Sequence, residues 1–281
     1  MRGLNHLVLA GRDLDAMQTV YSRLGFTVTP RAQHPFGTGN VVIQLKGCYL
    51  ELLSVTIPQD VIEHGADSFS FPAFNRDYLA RHEGFSMVVF DTADAAADIS
   101  TWNAAGLPTY APFGFRRPAR LPDGREITLG FQLAYTSAPQ APWLGHFACQ
   151  HLAPDYYEQP QFLAHANTAK AVHDVWVSGD GATGLAGHFA AVTGLPAERD
   201  GANRIAFRTR TGRFVLAEPT AFRAAFGVEP PHPEDGPHLA GFTVSCRSLD
   251  TLAGHGLTRV GDRLVLPPEA AFGTALAFAA G

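Results

Sequence analysis

The chain has 281 residues, 46% of them hydrophobic and 17% charged, with 21 Lys and Arg against 26 Asp and Glu. That composition excludes disorder over the bulk of the chain, and at roughly 150 residues per domain it leaves room for two domains with cores of their own. A net charge of −5 offers a polyanion no overall attraction, so no nucleic-acid partner is expected. No apolar run approaches the roughly 18 residues of a membrane span, so no membrane partner is expected either.

The first apolar stretch, Leu7 to Ala10, is too short for a signal-peptide core and runs into Arg12 and Asp13, which points to the cytoplasm. Cys48, Cys149 and Cys246 are odd in number and far apart, so they form neither a disulfide framework nor a zinc motif and read as small buried residues.

Repetition organises the chain. The segment LNHLVLAGRDLDAMQTVYSRLGF begins with a strand. A helix follows, capped by Asp13, with Leu14, Met17, Tyr21 and Leu24 on one face and Gly25 as its stop. Short strands are expected at Phe26–Thr29, Val41–Leu45 and Tyr49–Val55. The same order returns at GFSMVVF, from Gly84, with a helix from Asp94 to Gly106, a long proline-rich loop, and strands at Ile127–Tyr135 and Trp143–His151.

A third unit starts at HDVWVSG and a fourth at GFTVSCR, the latter placing Thr243 level with Ser86. Four strand-helix-strand-strand-strand units, two per domain, give an α+β fold of tandem βαβββ modules forming two curled mixed sheets. The boundaries read as residues 1–155 and 170–281, with the polar, His-rich run from Asp155 to Lys170 as the linker.

Within the first unit, His6 lies on a strand otherwise made of Leu, Val and Ala, and Glu51 sits inside Tyr-Leu-Glu-Leu-Leu. A buried unpaired carboxylate is costly, so Glu51 is exposed, paired or metal-bound. An imidazole and a carboxylate together suit Zn, Fe, Mn or Ni. The segment HPFGTGN adds His34, Thr38 and Asn40 as candidate substrate-binding groups, or else forms a plain hairpin turn. A second candidate loop, FGFRRPAR, concentrates Arg116, Arg117 and Arg120, suited to a substrate carboxylate. The run from Gln150 to Asn167, with His151, Tyr156, Tyr157 and His165, reads as a lid or as a bridge between the halves. No GxSxG elbow, HExxH helix or dinucleotide-binding glycine pattern is present.

NHLVLAGRDLDAMQTVYSRLGF, HPFGTGN and YLELLSV together resemble the glyoxalase-like branch of the vicinal oxygen chelate superfamily, closely over about residues 1–150. The resemblance implies paired βαβββ modules around a cleft, with a histidine on the first strand and a glutamate on the last holding a divalent metal. It therefore makes His6 and Glu51 the catalytic and metal-binding pair. It also exposes departures: Ser86 stands where a second histidine is expected and Gln150 where a second carboxylate is expected, both read as substrate-binding groups that complete a ring of four with His6 and Glu51, and in the second half His173 answers to His6 but Leu216 to Glu51.

Two functions follow. One is a metal-assisted lyase, isomerase or dioxygenase acting on a small oxygen-rich molecule. The other is a metal-free protein that binds or sequesters such a molecule. Ligand is expected only in the N-terminal cleft, with the C-terminal half structural, and the protein as a monomer or homodimer.

Overall fold

The computed structural model describes residues 1–120, 124–154 and 158–281, so Tyr156 and Tyr157 of the expected lid lie outside the described residues. The first half runs β1 (Leu4–Ala10), α1 (Leu14–Arg23), β2 (Ala32–Gln33), β3 (Thr38–Leu45), β4 (Cys48–Val55), α2 (Phe71–Arg81), β5 (Gly84–Asp91), α3 (Ala95–Ala104), β6 (Phe113–Arg120), β7 (Glu126–Thr136) and β8 (Gly145–His151). The second runs β9 (Ala169–Ser178), α4 (Ala186–Thr193), β10 (Glu198–Arg199), β11 (Arg204–Thr209), β12 (Gly212–Ala217), α5 (Pro219–Phe226), β13 (His238–Cys246), β14 (Thr258–Val260), β15 (Arg263–Leu266) and β16 (Ala275–Ala280).

Each half builds one eight-stranded sheet, ordered β2-β3-β4-β1-β5-β8-β7-β6 and β10-β11-β12-β9-β13-β16-β15-β14. The two orders correspond strand for strand. In each module the first strand pairs in parallel with the last, β1 with β4 and β5 with β8. The modules join through antiparallel first strands, β1 with β5. This is an α+β fold of tandem βαβββ modules. Among the described residues no helix is long and apolar enough to cross a membrane.

Side-chain alternation divides the interior into three cores. Leu7, Leu9, Val88 and Phe90 from the first sheet share one cluster with Val175, Val177, Phe214 and Phe242 from the second, and with Met17, Trp102 and Phe189 of the helices. The outer faces of both sheets thus close on a common core, where Phe85 meets Phe242 and Phe90 meets Phe214 edge to face. The inner face of each sheet has a separate cluster.

Three expectations need correction. Phe26–Thr29 is extended but belongs to no strand; Thr29 instead donates its amide to Val42 at 2.9 Å. Phe113–Arg120 is a strand rather than a loop. It lies at the sheet edge, where Pro118 costs no ladder hydrogen bond that an interior strand would need. Finally, α2 and α5 each follow the last strand of the first module in their half. Ser70 caps α2, its hydroxyl accepting from Ala73 N at 3.1 Å. Replacing Ser70 with Ala is expected to cost about 1 kcal/mol in urea unfolding.

The two halves part at those helices. Residues 56–70 separate β4 from α2, whereas Glu218 alone separates β12 from α5. The short connection draws α5 onto the inner face of the second sheet, where Phe222 and Phe226 pack on Trp176. The long one leaves space under the first sheet. The segment between the sheets is pinned to the first half: Thr27 N donates to His165 Nδ1 at 3.0 Å and Asn167 Nδ2 to Leu24 O at 2.8 Å.

Candidate functional site

Four strands aim polar side chains into the space under the first sheet. On β1, Leu7 and Leu9 face the shared core, so His6 faces inward. On β4, Leu50 and Leu52 face out and Glu51 faces in, opposite Val8 of β1 and Val42 of β3. Asn40 faces in from β3. His34 arrives from the turn before β3, where Gly37 takes φ +89° and a Cβ would meet Ile57 O at 2.6 Å. The HPFGTGN segment is thus a hairpin turn that also delivers a site residue.

Glu51 is the centre of this group and only 4% exposed. Asn40 Nδ2 donates to Oε1 at 2.6 Å. His34 Nε2 lies 3.6 Å from Oε1 and His6 Nε2 3.5 Å from Oε2. Burial, opposed by the Asn40 hydrogen bond and the Arg117 charge, raises the Glu51 carboxyl to about 7. Burial lowers His34 to about 3, helped by Arg117, and holds His6 well below the ordinary histidine range, so both rings are neutral.

The tautomers follow from the partners. Asn5 Oδ1 accepts from His6 Nδ1 at 2.6 Å and from His151 Nε2 at 3.2 Å. His6 therefore keeps its proton on Nδ1 and turns the Nε2 lone pair toward Glu51. Tyr49 stacks on the His6 ring at 4.5 Å, and Phe36 stacks on His34 at 5.1 Å. Thr38 completes this shell, 2.9 Å from His34 Nδ1.

His6, His34, Asn40 and Glu51 line a cavity of about 40 Å³ whose walls include Phe71, Phe115, Phe131 and Phe147. That is room for ordered water or a small ligand. Of the three arginines in FGFRRPAR, Arg116 and Arg120 are exposed. Arg117, one step out of phase with both, lines the cavity. Strand alternation makes the choice, and reading the segment as a loop hid it. Asn5, beside His6 in sequence, gave no separate signal.

Ser86 and Gln150 are placed elsewhere. Ser86 is buried and donates to Asn75 Oδ1 of α2 at 2.7 Å. Gln150 accepts from Ala95 N at 3.3 Å and donates to Ala93 O at 2.7 Å, at the start of α3. His146 points to the outer core, its Nε2 2.7 Å from His188 Nε2, while His151 packs edge-on against Tyr49 and Phe131.

A divalent metal of the kind the resemblance implies does not fit this donor set. A catalytic zinc takes three protein ligands and leaves them free to turn toward it. Here the Asn40 amide already occupies Glu51 Oε1, the oxygen that faces His34, and lies beside that imidazole at 3.5 Å from Nε2. The inward positions of β5 and β8 carry Met87, Val89, Phe147 and Cys149, and burial pushes the Cys149 thiol up, keeping it protonated. Among the described residues no group of three or more His, Cys, Asp or Glu is arranged to hold a metal ion.

In the second half the register differs from the sequence expectation. Val8 pairs with Glu51 in the first sheet, and Trp176 pairs with Val215 in the second. Val215 thus takes the place of Glu51, while Leu216 belongs to the shared core. Asp174, not His173, takes the place of His6; His173 is exposed and bonds Asp174 Oδ2 at 2.9 Å. Glu218 faces neither cleft; it accepts from Gly181 N and Thr183 N at 2.9 and 3.1 Å.

Comparison with known proteins agrees with this architecture. The family model described as a glyoxalase-like domain, Glyoxalase_3, matches residues 4–210. The chain belongs to this family of glyoxalase-like domains. Among solved structures it is similar to a hypothetical protein from Staphylococcus aureus (TM-score 0.71, 10% identity, 100% of both chains). It is also similar to a mutant of 4-hydroxymandelate synthase from Streptomyces coelicolor (TM-score 0.58, 11% identity, 98% of this chain and 91% of that one). A third likeness is to the Mn(II)-bound glyoxalase from Novosphingobium aromaticivorans (TM-score 0.55, 11% identity, 98% and 81%). At these identities the likeness is one of fold. A comparison with curated proteins returns no match.

Proposed function

We propose that the N-terminal cleft binds a small oxygen-bearing organic molecule and that Glu51 exchanges a proton with it, in an isomerase- or lyase-type reaction that uses no resident metal. The observation that carries this reading is the Glu51 carboxyl buried in the cavity between two imidazoles, a setting that raises it to about 7. A carboxyl with that affinity takes and returns a proton near neutrality. When Glu51 removes a proton from carbon next to a carbonyl, the C–H electron pair moves onto the carbonyl oxygen. Arg117 is the group placed to stabilise the charge there. His6 Nε2 faces the carboxyl at 3.5 Å from Oε2, with its lone pair toward it.

The aromatic walls favour a second reading, a protein that holds such a molecule without changing it. Solvent deuterium exchange separates the two. Small 2-hydroxy and 2-oxo compounds are incubated with wild type and Glu51→Gln in D₂O and followed by proton NMR. Exchange at the carbon next to the oxygen, lost about 10²–10⁴-fold in Glu51→Gln, supports proton transfer. Binding of these compounds without exchange supports the holding protein instead.

A further inference from the structure

Two polar atoms in the cleft are left over once the internal hydrogen bonds are counted. Asn40 Oδ1 and Arg117 Nε are buried and have no hydrogen-bond partner among the described residues. Both residues line the cavity beside Glu51, and Asn40 is only 3% exposed. Buried polar groups are ordinarily satisfied, so each open atom marks a place for an incoming group. The amide orientation follows from its other end: Nδ2 is spent on Glu51 Oε1 at 2.6 Å, so Oδ1 is the free acceptor.

The two atoms ask for opposite things. Arg117 Nε–H is a donor on a permanent cation and calls for an anionic acceptor, which a carboxylate meets with one or both oxygens. Asn40 Oδ1 accepts only, so it calls for an O–H or N–H. Arg117 is the one cationic side chain lining the cavity among the described residues, and the two imidazoles facing it are neutral. An anion is therefore favoured over a cation or a neutral molecule. The phenylalanine walls allow only a short apolar body beyond the polar end.

We propose that the cleft selects small 2-hydroxycarboxylates, with the carboxylate on Arg117 and the neighbouring hydroxyl donating to Asn40 Oδ1. This rests on the reading that the cleft takes an organic ligand, and it specifies the class. Arg117 and Asn40 line the same cavity as Glu51, the group that exchanges a proton.

Three probes of one size test the assignment by calorimetry on the full chain: 2-hydroxypropanoate, propanoate, which lacks the hydroxyl, and 2-hydroxypropanamide, which lacks the charge. The expected result is that 2-hydroxypropanoate binds about tenfold or more tighter than either. Arg117→Gln should erase its advantage over the amide and Asn40→Leu its advantage over propanoate. Should Asn40→Leu fail to fold, the wild-type ranking of the three probes still decides.

Equal binding of the three, or a ranking unchanged by Arg117→Gln, overturns the proposal. So does an absence of binding by all three, which leaves the two open atoms holding water only. Glu51-dependent exchange on a neutral carbonyl compound, found together with either result, would leave the proton-transfer reading standing while this class fails.

Discussion

Replacing Glu51 with Gln is expected to change the pH dependence of stability as well as the chemistry. In the fold the carboxyl is raised to about 7 by burial, whereas in the unfolded chain it sits near the ordinary 4.5. Below about pH 4.5 both states hold the proton. As pH rises from there to about 7, the unfolded chain releases it and the fold retains it, so the wild type loses stability across that window. The loss amounts to about 3 kcal/mol and levels off above pH 7.

Gln cannot titrate, so the variant does not lose this stability. Its stability relative to wild type should climb between pH 4.5 and 7 and then plateau. The buried His6 and His34 shift the other way, contributing stability above about pH 6.5 that is lost as pH falls. They are common to both proteins and cancel in the difference. Urea unfolding at several pH values measures the effect, and parallel curves would show that Glu51 titrates in the fold as it does in the unfolded chain.

The second large effect is expected at Asp174, in the second half. Its side chain is fully buried. Burial alone would raise its carboxyl, yet His173, Arg263 and Thr243 overcome this and hold it well below the usual carboxylate range. Arg213 and Arg263 approach Oδ2 at 3.1 and 3.2 Å, and both guanidiniums are themselves mostly buried. Among the described residues, Asp174→Ala leaves Arg263, 14% exposed, with only the Thr243 hydroxyl and Arg213 with only Asp200, a loss of about 3 kcal/mol at pH 7.

Because the folded carboxyl is depressed, its contribution is present above about pH 4 and disappears as pH falls below that. The wild-type advantage should therefore shrink in acid. The outer core is shared by both sheets, so the loss should appear as a lower midpoint of one transition for the whole chain rather than as melting of the second half alone.

The sequence made the architecture readable where local signals agreed. Asp13 and Gly25 bracket α1, the alternation of β1 and β4 separates inward from outward residues, and the GFSMVVF and GFTVSCR starts mark the repeats. It failed where tertiary context decides. FGFRRPAR holds Gly, Pro and three cations, a loop composition, yet pairing with β7 makes it a strand and selects Arg117 from the cluster. HDVWVSG offers both His173 and Asp174, and only the pairing of Trp176 with Val215 shows that Asp174 takes the inward position. Nothing local indicated that a one-residue connection would bring Phe222 and Phe226 onto the second sheet, or that Asn40 would donate to Glu51.

The account turns on one carboxyl that works without a metal. Carbon-13 NMR of the glutamate side-chain carboxyls, with the Glu51 signal assigned by its loss in Glu51→Gln, reads the relevant state directly. Titration of the chelator-treated protein should place the Glu51 midpoint near 7, and a stoichiometric addition of Zn(II) should leave it there. A midpoint near the ordinary 4.5, or one that Zn(II) drives below that, would contradict the account.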